Sequence, residues 1–258
     1  MKEFFGIGGY SREAEGYMSW QHLTFVTILM LIMIGLAIYI GIKNKNKEFS
    51  AKNKVLIWSA ILIDAFELIK VLVTFIDAKY CNELDGWWHG LLPLYLCSIQ
   101  LIAIPLAAFS RGRVKNAALD FVFIFGILGA ILGTYAAGQN YAAYPVLSFT
   151  NVVSGITHSI SGFASLYIAI SGMASMKKRN LPITFIILTV FFILAFIANK
   201  LLGTNYMFIV RGDGTPYDIL YNLVNGNKVL YPLGVLLLFI IYIVVFRAIF
   251  SYFRKKTE

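Results

Sequence analysis

Three stretches of this sequence put chemically able side chains among apolar neighbours. H-G-L-L-P-L-Y-L-C-S-I-Q at 89–100 carries Cys97 and, three residues on, Gln100. N-V-V-S-G-I-T-H-S-I-S-G-F-A-S at 151–165 opens on Asn151 and carries His158. That histidine shares a helical stripe with Ser154, Ser161 and Ser165, and Gly155 and Gly162 lie beside the stripe, where a second helix can approach closely. D-A-F-E-L-I-K at 64–70 carries Asp64, Glu67 and Lys70. A thiol near an imidazole is a nucleophile with its base: the ring takes the thiol proton and later returns it to a leaving group. Asp64 or Glu67 would orient the ring as the acid of a triad does, or bind a substrate headgroup. Lys70 would bind a phosphate or steady an oxyanion.

Each residue also has an ordinary structural reading. A free cysteine commonly packs as a small buried hydrophobe. Gln100 can serve as a polar link between helices, and His158 as a hydrogen-bonded structural histidine. Glu67 and Lys70, spaced i, i+3, can neutralise each other. At 100° per residue the three charges span one helical face about 120° wide, which predicts that they share a buried face.

The elements that would hold these residues are apolar helices. Of 258 residues, 59% are hydrophobic and only 14% charged, against about a quarter charged in soluble domains. No polar stretch is long enough to fold alone, so a single all-α polytopic membrane domain over 1–258 is expected. A helix needs about 20 apolar residues to cross the hydrocarbon core. Seven stretches qualify: Trp20–Ile42, Val55–Ile76, Gly90–Phe109, Ala117–Tyr135, Val146–Met173, Ile183–Leu202 and Val229–Phe253. Their continuous apolar runs exclude a membrane β-barrel. The N-terminal residues lack the pattern of a secretory signal peptide.

The connecting loops alternate in charge. K-N-K-N-K-E-F-S-A-K-N-K, R-G-R-V-K, K-K-R-N and R-K-K follow the first, third, fifth and seventh stretches. The other side carries E-A-E, D-A-K-Y-C-N-E-L-D, A-A-G-Q-N-Y-A-A-Y and R-G-D-G-T-P-Y-D. The positive-inside rule then predicts an outer N-terminus and a cytoplasmic C-terminus. It also accounts for the net charge of +9 as orientation and contact with anionic lipid, so nucleic acid is not expected as a partner. Trp20, Trp87 and Trp88 fall at the outer boundary, as an aromatic belt would. Frequent Lys, Asn, Ile and Phe suggest an AT-rich bacterial genome, hence a bacterial cell membrane.

At 1.5 Å per residue, Cys97 falls roughly 12 Å below the outer rim, Glu67 roughly 14 Å and His158 roughly 10 to 18 Å. Three helices thus bring reactive groups to one level in the outer half of the membrane. Other chemistry finds little support. There is no G-x-S-x-G, H-E-x-x-H or Walker loop. Ser175 and Lys178 match S-x-x-K only at a basic loop. His22, His89 and His158 lie on three segments without ligand spacing, so neither metal nor cofactor is expected. A disulfide between the two cysteines, Cys81 and Cys97, would require an outer loop to dip deep into the bundle. The long outer piece Gly203–Lys228 is expected to fold over the mouth of the bundle.

L-P-L-Y-L-C-S-I, T-H-S-I-S-G and N-Y-M-F-I together resemble the YwaF family of bacterial integral membrane proteins, over most of the chain and including the seven-span layout. That family is similar to eukaryotic transmembrane acyltransferases that remodel phospholipids and, more distantly, to androgen-induced hydrolases of fatty-acid esters. The resemblance implies Cys97 as nucleophile and His158 as base, with Asn205 and Tyr206 beside the outer entrance. One position departs: the family pattern has histidine two residues before the cysteine, and this chain has Tyr95, whose hydroxyl could donate to an oxyanion. Two functions therefore remain open. One is a membrane-embedded lipid acyltransferase or lipid-ester hydrolase acting on membrane lipids. The other is a transporter or small-molecule receptor, with its polar site on the second span.

Overall fold

A computed structural model describes residues 2–255. It is helical, with no strand among the described residues. Of the basic run at 254–256, Lys256 lies outside them. The short α1 (Lys2–Phe5) precedes α2 (Trp20–Asn44) and α3 (Phe49–Cys81). Next come α4 (Gln100–Phe109), α5 (Gly112–Tyr135), the short α6 (Gly138–Ala143) and α7 (Phe149–Ile170). The chain ends with α8 (Leu181–Leu202), α9 (Tyr217–Leu223) and α10 (Leu230–Lys255). Helix boundaries follow local chemistry. Ser19 and Ser148 cap α2 and α7 through their hydroxyls, Pro182 sits in the first turn of α8, and Gly203 ends α8 at φ 68°.

Five helical segments are long and apolar enough to cross a membrane: Trp20–Asn44, Gly112–Ala143, Phe149–Ile170, Lys178–Leu202 and Leu230–Tyr252. Two of the seven expected spans are not among them. The second, α3, has ample length at 33 residues, but Asp64, Glu67 and Lys70 interrupt its apolar run. The third is helical only from Gln100, so its first ten residues, 90–99, are turns rather than the continuous helix expected.

Pro93 supplies no N–H and disfavours helix in the residue before it. The Ser98 hydroxyl then competes with helical pairing, accepting from the Tyr95 amide at 3.0 Å and donating to the Tyr95 carbonyl at 3.1 Å. At membrane depth such backbone survives only inside protein or beside a cavity. Here Leu94 and Ile99 are buried and the rest of 91–98 is half-buried.

The most enclosed long helix is α5, which packs against α4 and α7. Its small residues permit that closeness. A Cβ on Gly126 would sit 2.8 Å from the Ser161 carbonyl oxygen. Across the same contact Ser165 Oγ donates to the Phe123 carbonyl at 2.8 Å, and Ser161 Oγ to that of Gly126 at 3.3 Å. The serine stripe predicted on the fifth span is thus the face that locks α7 to α5. Gly162 packs on Ala130 and Met33, and Gly155 on Leu29 and Phe25 of α2.

Contacts between loops sort into two ends. At one, Gly8 N–H donates to Asp77, Val146 N–H to Glu15, and Gln139 to the Asp213 carbonyl. At the other, Asn53 donates to the Ala108 carbonyl, Arg113 to that of Arg179, and Arg247 to that of Met176. There Asp120, which the sequence reading passed over, is 3% exposed. It accepts from Ser175 N, Met176 N and Asn180 Nδ2 at 2.8 to 3.2 Å, closing the α7–α8 loop.

Candidate functional site

The site is built against one face of α5. Gly129 and Gly133 lie one turn apart and leave that face without side chains. A Cβ on Gly129 would meet Cys97 Cα and Cβ at 3.3 Å, and one on Gly133 would lie 2.0 Å from His158 Cδ2 and Nε2. The sequence reading did not single out these glycines; their 126, 129, 133 spacing was the available signal. The Cys97 thiol and the His158 ring are close enough to interact by hydrogen bonding and charge. The two residues meet against the same face of α5, Cys97 from a turn and His158 from a helix.

The histidine is held in one tautomer. Its Nδ1 lies 2.7 Å from the Ser154 carbonyl oxygen, which can only accept, so Nδ1 carries the proton. In the neutral ring Nε2 then keeps its lone pair. That Nε2 is buried with no nitrogen or oxygen partner, and the Cys97 thiol is the group beside it. The expectation that Asp64 or Glu67 orients this ring is corrected: the backbone carbonyl one turn earlier on α7 does so.

The second-span charges are divided. Glu67 and Lys70 pair at 2.5 Å, with side chains 16% and 23% exposed. Lys70 lies within electrostatic range of His158. Asp64, one turn before Glu67, is exposed and not buried as expected. On the inward face, Leu56, Ala60 and Ile63 are fully buried, whereas Glu67, Lys70 and Thr74 are only half-buried. The inward face of α3 is thus less enclosed from Glu67 to Thr74 than from Leu56 to Ile63.

Tyr206 fastens the turn that carries the thiol. Its hydroxyl donates to the His89 carbonyl and accepts from the Leu92 amide at 3.1 Å. Its ring packs on Tyr95 at 5.0 Å between centroids. This is the physical link between the L-P-L-Y-L-C-S and N-Y-M elements, and it brings part of the 203–228 segment against the turn that carries Cys97. Tyr95 is half-buried between Tyr206 and Phe208.

Asn205 is spent on its own loop: it donates to the Arg211 carbonyl and Asp213 and accepts from the Val210 amide. Asn151 likewise holds the Tyr144–Pro145 corner. The structure brings neither asparagine to the thiol. Gln100 follows Cys97 by one turn and is fully buried. Both cysteines are free, and Cys81 is exposed. His22 is tied to the Met18 amide and the Thr134 carbonyl beneath Tyr141.

The sequence matches the TMEM164 family over residues 17–253. The chain belongs to the TMEM164 family. No curated protein and no solved structure matches it. As a TMEM164-family protein with several long apolar helices, it is a multi-pass membrane protein. The match takes in α2 to α10, and with them Cys97, His158 and Tyr206.

Proposed function

We propose that this protein is a lipid acyltransferase or lipid-ester hydrolase working inside the membrane, with Cys97 as nucleophile and His158 as base. One observation carries the reading: a buried imidazole whose Nδ1 proton is committed to Ser154 and whose Nε2 has no nitrogen or oxygen partner, only the free Cys97 thiol beside it. His158 Nε2 takes the thiol proton as Sγ bonds to the acyl carbonyl carbon. The ester C–O bond breaks, and the departing alkoxide takes that proton back. Water or a second alcohol then attacks the thioester, which gives hydrolysis or transfer. The resemblance to phospholipid-remodelling acyltransferases and fatty-acid-ester hydrolases supports the same chemistry.

The layout we propose is seven crossings with the N-terminus outside. The third is a turn followed by the ten-residue α4, and the less enclosed face of α3 admits the lipid. Loop contacts that sort into two ends support it. A bacterial cell membrane is the proposed location.

The test is labelling of Cys97 in native membranes with a lipid-like electrophile, on a Cys81→Ser background. Strong labelling that His158→Ala removes is the expected result. Equal labelling in both would show an inert packing thiol. Only the half-buried Glu67–Lys70 pair favours a second reading, a transporter or receptor for a polar solute. In that case Lys70→Met abolishes uptake and Cys97→Ala is silent.

A further inference from the structure

Gln100 has no hydrogen-bond partner for either side-chain atom. It is 0% exposed, and Nε2 and Oε1 are both buried and unpaired. An unsatisfied buried polar group costs about 1–3 kcal/mol, and native proteins keep few of them. Other polar side chains in the bundle each have at least one partner: the Ser161 and Ser165 hydroxyls, Asn44 and Asn199 reach an acceptor, and Asn151 and Asn180 bond through Nδ2 while leaving only Oδ1 unpaired. Gln100 is therefore not a link between helices, the role its position suggested.

It stands at the start of α4, where its backbone N–H bonds to the Cys97 carbonyl at 3.3 Å. His158 Nε2, beside the thiol, is likewise buried with no nitrogen or oxygen partner. A free cysteine thus has on one neighbouring element an imidazole whose Nε2 has no nitrogen or oxygen partner and, one turn along its own chain, an amide with none at all. The ring supplies the acceptor that attack by the thiol requires. Attack on an ester also builds negative charge on the carbonyl oxygen, and that charge requires a donor.

We propose that the Gln100 side-chain amide is the oxyanion donor for acyl transfer to Cys97, donating from Nε2 to the substrate's carbonyl oxygen. This rests on the acyl-transfer reading above. As Sγ bonds to the carbonyl carbon, the carbonyl π pair moves onto oxygen and is held by the Gln100 N–H. It returns when the alkoxide leaves.

The experiment compares two reactions at one thiol, using the full chain in native membranes on a Cys81→Ser background. p-Nitrophenyl laurate acylates through an oxyanion and releases nitrophenolate. Methyl methanethiosulfonate attaches at sulfur without one. With Gln100→Met, the ester reaction should slow by about 100- to 1000-fold, while the methanethiosulfonate rate stays at the wild-type value. Gln100→Asn, which keeps an amide one carbon shorter, should recover part of the loss. Unchanged ester kinetics in Gln100→Met would overturn the assignment. So would equal slowing of both reactions, which would make Gln100 a packing residue. Failure of the wild type itself to react with the ester would sink the acyl-transfer reading, before any Gln100 variant is compared.

Discussion

Gly133→Ala is the sharpest perturbation available. The added carbon would sit 2.0 Å from His158 Cδ2 and Nε2, where carbon atoms need about 3.5–4.0 Å. Relief requires a shift of about 1.5 to 2 Å by that spacing. The ring can turn away, which breaks the 2.7 Å bond to Ser154. Alternatively α5 and α7 can part, which strains the Ser161 and Ser165 bonds. Overpacking of this kind costs about 1–3 kcal/mol, and a catalytic group displaced by about 1 Å loses about 100-fold in rate. The assay is the rate of Cys97 alkylation by a lipid-like electrophile in native membranes, with thermal aggregation in detergent read in parallel. Gly129→Ala meets Cys97 at a milder 3.3 Å and should lose less. Gly35→Ala meets nothing within 4 Å and should match wild type. Wild-type alkylation in Gly133→Ala would refute the placement of His158 Nε2 against α5.

Tyr206→Phe removes the hydroxyl that bridges His89 and Leu92; hydrogen exchange at the Leu92 amide should rise, with a stability loss of about 1–3 kcal/mol. Asp120→Ala strands two backbone amides and the Asn180 amide; about 3 kcal/mol or more should go, read as earlier thermal aggregation and protease cleavage between α7 and α8. Burial pushes the Glu15 carboxyl up, but the Val146 amide, its own backbone amide and Arg12 outweigh it and hold it below the ordinary glutamate value. A lowered folded-state value means the carboxylate's contribution is present above the unfolded value and lost as pH falls through the folded one. Protease sensitivity of residues 2–18 should therefore rise on acidification through the glutamate range, and Glu15→Gln should show that sensitivity already at neutral pH.

How far the site was legible depended on period and on partners. The 154, 158, 161, 165 stripe pointed correctly to a tightly packed helix face because the helical period is fixed and small residues mark close contact. The i, i+3 spacing of Glu67 and Lys70 found their ion pair. A single helical period then misled where the backbone left it. Pro93 and Ser98 break the helix before Gln100, so counting 1.5 Å per residue from His89 had no basis there. Asp64 looked buried because its face was drawn from three charges, and the apolar residues Leu56, Ala60 and Ile63 show that the inward face is centred elsewhere. The tautomer of His158 could not be read from sequence, since a main-chain carbonyl sets it and every residue has one. Asn151 and Asn205 were attractive as polar residues near a membrane boundary. Side-chain amides at such places satisfy loop backbone, which a one-dimensional pattern does not separate from ligand binding.

The bond from Tyr206 to the His89 carbonyl spans 117 residues of chain. During synthesis the cysteine turn must enter the bilayer long before the tyrosine that fastens it has been made. Until α8 has inserted and residue 206 has followed, the turn's exposed amides and carbonyls have no such partner. The surroundings of Cys97 are consequently assembled late: a nascent chain stalled before Tyr206 carries both Cys97 and His158 but lacks the clasp. The turn bearing the cysteine is fixed only after most of the bundle has been laid down around it.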